Sequence, residues 1–338
     1  MAKIKDVARE ANVSIATVSR VINGVPLVNE DTRARVMAAI EKTGYKPNVL
    51  ARSLKLQKTN TIGILCSGLN RPVIVDCIIG IQQYLSKEGY QMLLAPSNET
   101  DETIDSDALD MLVQRQCDGI VFIGEKLDAE KIMPVKTFSI PAVSAFVPSE
   151  DKDIPCVVYD EYEASKYIVR YLKEKGHTKI GAFMATNDFD AVPRRVKGFF
   201  DGMKEEDLPL NDKWIFRSTF DYDGGYECAK MLCLLPKAEW PTAIYCFNDD
   251  MGLAATKALH KECKKTVPDD ISLICMNGSM YAQWNMVALT SLKMDAVTLG
   301  NMVAKKLIDL IKTGTYDEFL TYAPLDMQEG ESVKDLNK

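Results

Sequence analysis

From residue 61 onward the chain repeats one unit: a short, wholly apolar run followed by a longer stretch with helical periodicity. The runs are TIGILC (61–66), QMLLA (91–95), GIVFIG (119–124), PAVSAFV (141–147), KIGAFM (179–184), AIYCFN (243–248) and ISLICM (271–276). Unbroken apolar runs of this length read as strands buried on both faces of a parallel sheet. Between them, 73–87, 105–114, 161–175, 192–206, 225–235 and 251–263 carry apolar residues at spacings of three and four. Repeated βαβ units predict doubly wound α/β sheets. The body from 61 to 338 is large for one such sheet, so two similar halves with a cleft between them are expected.

The first sixty residues have a different texture. Ile4, Val7, Ala8 and Ala11 line one face of a short helix. Asn12 tolerates the left-handed conformation that ends a helix sharply. Ser14 then suits the N-cap of a second helix running to about Ile22, with Val18, Val21 and Ile22 buried. Two short helices joined by a few residues form the helix-turn-helix pattern, an all-α DNA-binding module. The second helix carries Ile15, Ala16 and Thr17 in its first turn and Arg20 one turn on. Ile15 and Ala16 suit thymine methyl groups, and Arg20 suits a bidentate contact to guanine. Ser14, Thr17 and Ser19 are placed for phosphates, and Asn23, just past the helix, joins the set. A third helix is expected from the Asn29 cap through Glu30 and Asp31 to Thr43, with Gly44 ending it.

Next, Lys46-Pro47-Asn48 stops the helical pattern, and VLARSLK (49–55) has the length of one or two turns. So short a helix is marginal alone and would order on a duplex. Ala51 is small enough to lie close to DNA, and Leu54 suits a minor-groove wedge.

Charge sharpens this reading. The whole chain has a net charge of −7, which by itself argues against a polyanion partner. Its first sixty residues, however, hold eleven Lys and Arg against five Asp and Glu. A basic head on an acidic body suits nucleic acid.

Other classes find little support. Nine cysteines show no paired spacing and the histidines are only His177 and His260. No metal centre or cofactor is expected, and the thiols read as reduced, buried small hydrophobes. GxGxxG, GxxxxGK[ST] and GxSxG patterns are missing, so an enzyme is not expected. There is no apolar run of membrane-spanning length. MAKIKDVARE lacks a secretory apolar core, so a cytoplasmic location is expected.

In doubly wound folds, ligands sit beyond the carboxyl ends of strands. The segments there hold Asn70 and Pro72, Arg194 and Arg195, Phe220, then Asn248, Asp249 and Asp250, then Asn277 and Gly278. A guanidinium, an aromatic face and several amides or carboxylates suit a small polar ligand. Asn248 or Asp249 could equally serve as a helix cap.

IKDVAREANVSIATVSRVING, then TGYKPNVLARSLKLQKTNTIGIL, closely resembles the lactose/galactose-repressor family of bacterial transcriptional regulators. In the body, GHTKIGAF, RRVKGFF, NDDMGLA and ISLICMNG resemble that family's ligand domain, which is similar to periplasmic sugar-binding proteins. The resemblance implies a homodimer on a palindromic operator, double-stranded DNA read by Ile15, Ala16 and Arg20, and a hinge helix using Asn48, Ala51, Arg52, Leu54 and Lys55. It assigns effector contact to Asn70, Arg195, Phe220, Asp249 and Asn277. Departures stand out: Asn277 replaces an Asp, Cys275 and Gly330 replace the family's Gly and Arg, and Val73 and Ile74 replace aromatic residues beside Pro72. Loss of a charge that grips sugar hydroxyls argues against an ordinary hexose, and the implied effector is a sugar, a nucleobase or a related polar metabolite, or a partner protein in its place. The implied layout is a helix-turn-helix domain over 1–46, a hinge over 47–60 and a ligand domain over 61–338. Within that domain, one half takes about 61–160 and 291–320, and the other about 161–290 and 321–333. A ligand-binding protein with a silent DNA head is the alternative.

Overall fold

The computed structural model describes residues 2–22, 28–45, 58–97, 103–187 and 189–338. It divides into two compact units, residues 1–59 and 60–338.

In the first unit, α1 (Ile4–Glu10), α2 (Ile15–Ile22) and α3 (Glu30–Thr43) enclose a small core of Val7, Ala8, Ala11, Val18, Val21, Val36 and Ala39. Local chemistry sets the boundaries. Asn12 turns the chain at φ 50°. The Ser14 hydroxyl accepts the Thr17 N–H at 3.1 Å, and the Asn29 side chain accepts the Thr32 N–H at 2.8 Å. Gly44 closes α3 at φ 63°, the left-handed position that glycine takes at least strain. Lys42 reaches Glu10 at 2.6 Å, tying the end of α3 to α1.

The second unit holds two six-stranded sheets. The first contains β1 (Thr61–Cys66), β2 (Gln91–Pro96), β3 (Gly119–Ile123), β4 (Ala142–Ala145), β5 (Cys156–Val158) and β11 (Leu320–Tyr322). All are parallel, in the order β11-β5-β4-β3-β1-β2. The second contains β6 (Ile180–Ala185), β7 (Ile215–Ser218), β8 (Ala243–Cys246), β9 (Ser272–Asn277), β10 (Thr290–Met294) and β12 (Leu325–Gln328). Its order is β12-β10-β9-β8-β6-β7, with β12 antiparallel. The inner strands β3, β4, β6 and β8 are buried along their whole length, which is why they appear in the sequence as unbroken apolar runs.

Helices α4 (Pro72–Lys87), α5 (Ser106–Gln114), α6 (Met133–Thr137) and α12 (Ala296–Thr313) flank the first sheet. Helices α7 (Glu161–Glu174), α8 (Ala191–Glu205), α9 (Tyr222–Cys233), α10 (Asp249–Cys263) and the short α11 (Met280–Gln283) belong to the second half. Two glycines let α4 and α12 lie backbone to backbone. A Cβ at Gly80 would collide with the Val297 carbonyl, and one at Gly300 with that of Cys77.

Two expectations need correction. The chain crosses between halves at 158–161, 294–296 and 322–325, not at 290/291 and 320/321. Residues 290–293 pair in parallel with β9, and 320–322 pair in parallel with β5, so hydrogen bonding carries each segment past the expected boundary. Nor are all cysteines reduced thiols. Seven are free and buried, but Cys233 and Cys263 form a disulfide between the ends of α9 and α10, with Cα atoms 5.8 Å apart. Among the described residues no helix is long and apolar enough to cross a membrane.

Candidate functional site

Two surfaces carry the residues singled out in the sequence. On the N-terminal unit, the Ser14 cap starts α2 so that Val18 and Val21 face the core. The opposite face is open: Ile15 is 52% exposed, and Ser14, Ala16 and Arg20 are also exposed. Thr17 and Ser19 are half-buried, and the Thr17 hydroxyl lies 2.9 Å from that of Ser14. A helix end displaying a methyl-rich side chain and a guanidinium one turn apart matches base edges in a major groove. Asn23, Asn48, Ala51, Arg52, Leu54 and Lys55 lie outside the described residues.

In the second unit a cavity of about 430 Å³ lies between the two halves. The first half contributes Pro72, Val73 and Ile74 from the start of α4, with Asp76 one turn on. The second contributes Arg195, Phe220, Asn248, Asp249 and Asn277. The cavity thus brings together eight of the nine residues expected to contact an effector. Asn70 is the exception. It is exposed in the turn after β1 and does not line the cavity. The turn closes with Arg71 N–H donating to the Gly68 carbonyl, and Arg71 occupies the cavity wall instead, its guanidinium 5.0 Å from the Phe189 ring centre.

The expected gripping groups are largely engaged by the protein itself. Arg195, 3% exposed in the first turns of α8, meets Glu161 at the start of α7 through two contacts. Its Nε donates to Oε2 at 2.7 Å and Nη2 to Oε1 at 3.2 Å, while Nη1 donates to the Phe247 carbonyl. Burial is the largest single influence on Arg195 and opposes its charge, but Glu161, Tyr245 and Asp249 together outweigh it and raise the guanidinium pKa. Phe220 lies 5.5 Å from the guanidinium carbon.

Asn248 caps α10 by accepting the Met251 N–H at 2.8 Å, and its amide donates to the Phe220 carbonyl at 3.1 Å. Asp249 accepts the Ser279 N–H at 2.5 Å and the Ser291 hydroxyl at 2.7 Å. Burial pushes its pKa up to about 6 against these hydrogen bonds. Ser291 also accepts the Gly278 N–H at 3.0 Å, so β10 and Asp249 together hold the loop after β9. Asn277, half-buried, begins that loop at φ 120°, a conformation rare for a side-chain-bearing residue.

Reading the sequence missed Arg71, Asp76, Phe146, Glu161, Phe189, Trp284 and Asp295 as cavity-lining residues. Glu161 and Asp295 do follow strands, but β5 and β10 are too short or too mixed to stand out. Asp76 sits on a helix, where strand ends give no signal.

Residues 59–332 match the model described as periplasmic binding proteins and sugar binding domain of the LacI family, and residues 3–48 match that of bacterial regulatory proteins, lacI family. The HTH-type transcriptional repressor PurR of Pectobacterium carotovorum is 32% identical over 99% of this chain and 98% of its own length. Catabolite control protein A of Priestia megaterium is 30% identical over 98% and 99%. Among solved structures, the lac repressor dimer bound to operator and the anti-inducer ONPF shares the fold at a TM-score of 0.83 and 21% identity, covering 98% and 99% of the two chains. The transcriptional regulator CelR–cellobiose complex does so at 0.71 and 24%, covering 98% and 100%.

Proposed function

The chain belongs to the LacI family of bacterial regulatory proteins, and from that premise we propose that it is a repressor that binds a pseudo-palindromic operator as a homodimer. Its affinity for DNA is set by a small molecule held between the two halves of the second unit. The observation that carries the first part is the capped helix α2, whose buried face holds Val18 and Val21 and whose open face offers Ile15, Ala16 and Arg20. Two such helices, one per protomer, would read the two halves of a symmetric site. The cavity supports the second part. It is walled by both halves, so a ligand touching both favours the closed arrangement. Coupling between cavity and DNA is then reciprocal, and operator binding changes ligand affinity by the same factor. Chemistry at the cavity plays no part in this reading.

The test is a mobility shift of the full-length protein at low salt against a randomised pool of palindromes. Selection of one symmetric sequence, with retardation weakening steeply as salt rises, is the expected result. Failure to enrich any sequence above the starting pool overturns the reading and leaves a binding protein with a silent head.

A further inference from the structure

We propose that the cleft takes an organic cation, a protonated amine carried on a flat ring or other apolar body, in preference to a phosphate, a carboxylate or a neutral sugar. This rests on the reading of the cleft as an effector site.

The first argument is what the cleft has already satisfied. An open arginine fork is the natural receptor for a carboxylate or phosphate. Here the fork of Arg195 is closed by Glu161 and by the Phe247 carbonyl. An anion would have to displace a buried carboxylate to reach it. Asn248 and Asp249 are likewise held by neighbouring groups.

The second argument is the charge left over. The lining holds the carboxyl groups of Asp76, Glu161, Asp249, Asp250 and Asp295 against three cations, Arg71, Arg195 and Lys293. Glu161 and Arg195 cancel. Arg71 lies over the Phe189 ring, and Lys293 faces Asp76 and Asp295. An acidic excess remains, and it comes from both walls. Asp76 stands on α4 of the first half, and Asp249 and Asp250 on α10 of the second. Burial pushes the Asp250 carboxyl above its usual range, against the neighbouring Tyr222 hydroxyl.

The third argument concerns closure. Drawing the two halves together moves a net acidic lining, which Lys293 offsets only in part, into a medium poorer in water, and this opposes closing. A cation between the walls removes that opposition, so it binds the closed state better than the open one. A ligand shifts the equilibrium only through such a difference. A neutral polyol leaves the opposition in place, and an anion adds to it. The rest of the ligand meets Phe189 and Phe220, whose ring centres are 5.9 Å apart, with Phe146 on the facing wall. Aromatic faces suit both a flat ring and an ammonium group.

The experiment is calorimetric titration of the full-length protein at fixed ionic strength with phenethylamine, 2-phenylethanol and phenylacetate, which share a ring and differ in charge. Glucose and glucose 6-phosphate are titrated alongside. Saturable binding of phenethylamine alone is expected, weakened about tenfold or more in Asp76→Asn. Asp76 is half-buried and, among the described residues, its side chain makes no hydrogen bond, so this variant leaves the fold in place. In Glu161→Gln, which releases the arginine fork, phenylacetate should gain affinity. Binding of phenylacetate, phenylethanol or either sugar as tight as that of the amine overturns the inference while leaving the effector reading standing. Amine binding unchanged in Asp76→Asn also overturns it. Binding by none of the five overturns the inference alone, because it leaves a nucleobase or another polar metabolite as the effector, and the operator experiment is independent of both.

Discussion

The Arg195 guanidinium meets the Glu161 carboxylate at two points, 2.7 and 3.2 Å, with both side chains almost wholly buried. Residues 34 positions apart thereby join the first turns of α7 and α8 at the floor of the cleft. Removing one partner leaves a buried charge without its counter-ion, which destabilises by roughly 3–5 kcal/mol. Glu161→Ala is therefore expected to lower the unfolding free energy obtained from urea denaturation by that amount. The double variant Glu161→Met/Arg195→Met should recover most of the loss, because apolar side chains of similar volume need no counter-charge. A double variant as unstable as the single one would show that the pair is worth more than the sum of its desolvation.

Asp249 gives a pH dependence with a defined sign. Its folded-state pKa is raised by burial to about 6, against about 3.9 in an unfolded chain. Between these values the folded state binds more protons than the unfolded one, so stability falls as pH rises through that window. Asp249→Asn removes the effect. Comparing the two proteins in urea at pH 4.5 and 7.5, the variant should gain on the native protein by about 2 kcal/mol at the higher pH. A constant difference between them at both pH values would show that Asp249 does not titrate in this range.

Arg20 separates reading from holding. A bidentate guanine contact discriminates among bases by about 1–3 kcal/mol. Arg20→Ala should thus weaken binding to the selected operator by that amount while leaving affinity for random-sequence duplex nearly unchanged. Titrations of both duplexes at one salt concentration decide it. Equal losses on the two would mean that Arg20 touches only phosphate.

The crossing of α4 and α12 depends on two missing side chains. A methyl group at Gly300 meets the Cys77 carbonyl, which is backbone and cannot rotate away. In an isolated helix Ala would be favoured over Gly by about 1 kcal/mol. Overpacking here is expected to reverse that sign, with Gly300→Ala destabilising by about 1–3 kcal/mol. Gly80→Ala should behave alike, through the Val297 carbonyl. Thermal melts that rise on either substitution would show that the helices can separate freely.

Much of this protein follows from local chemistry. Most apolar runs between 61 and 276 become strands buried on both faces; QMLLA is the exception, forming the sheet-edge strand β2, where only Ala95 is buried. The boundaries of α2, α3 and α10 follow from Ser14, Asn29 and Asn248, whose side chains each accept an N–H of the first turn. The exposed face of α2 is legible for the same reason: once a helix and its buried stripe are set, geometry dictates what lies opposite. Tertiary structure decided what local pattern leaves open. Segments of three to five residues, 156–158, 290–294 and 320–322, have too little periodicity to declare their sheet; only hydrogen-bond register assigns them. The pairing of Glu161 with Arg195, of Cys233 with Cys263, and of Ser291 with Asp249 joins groups distant along the chain. Such pairings depend on which helix and loop ends meet once the sheets are wound. The sequence therefore determines where the cleft lies and which residue types crowd it, while the fold determines which of them remain available to a ligand.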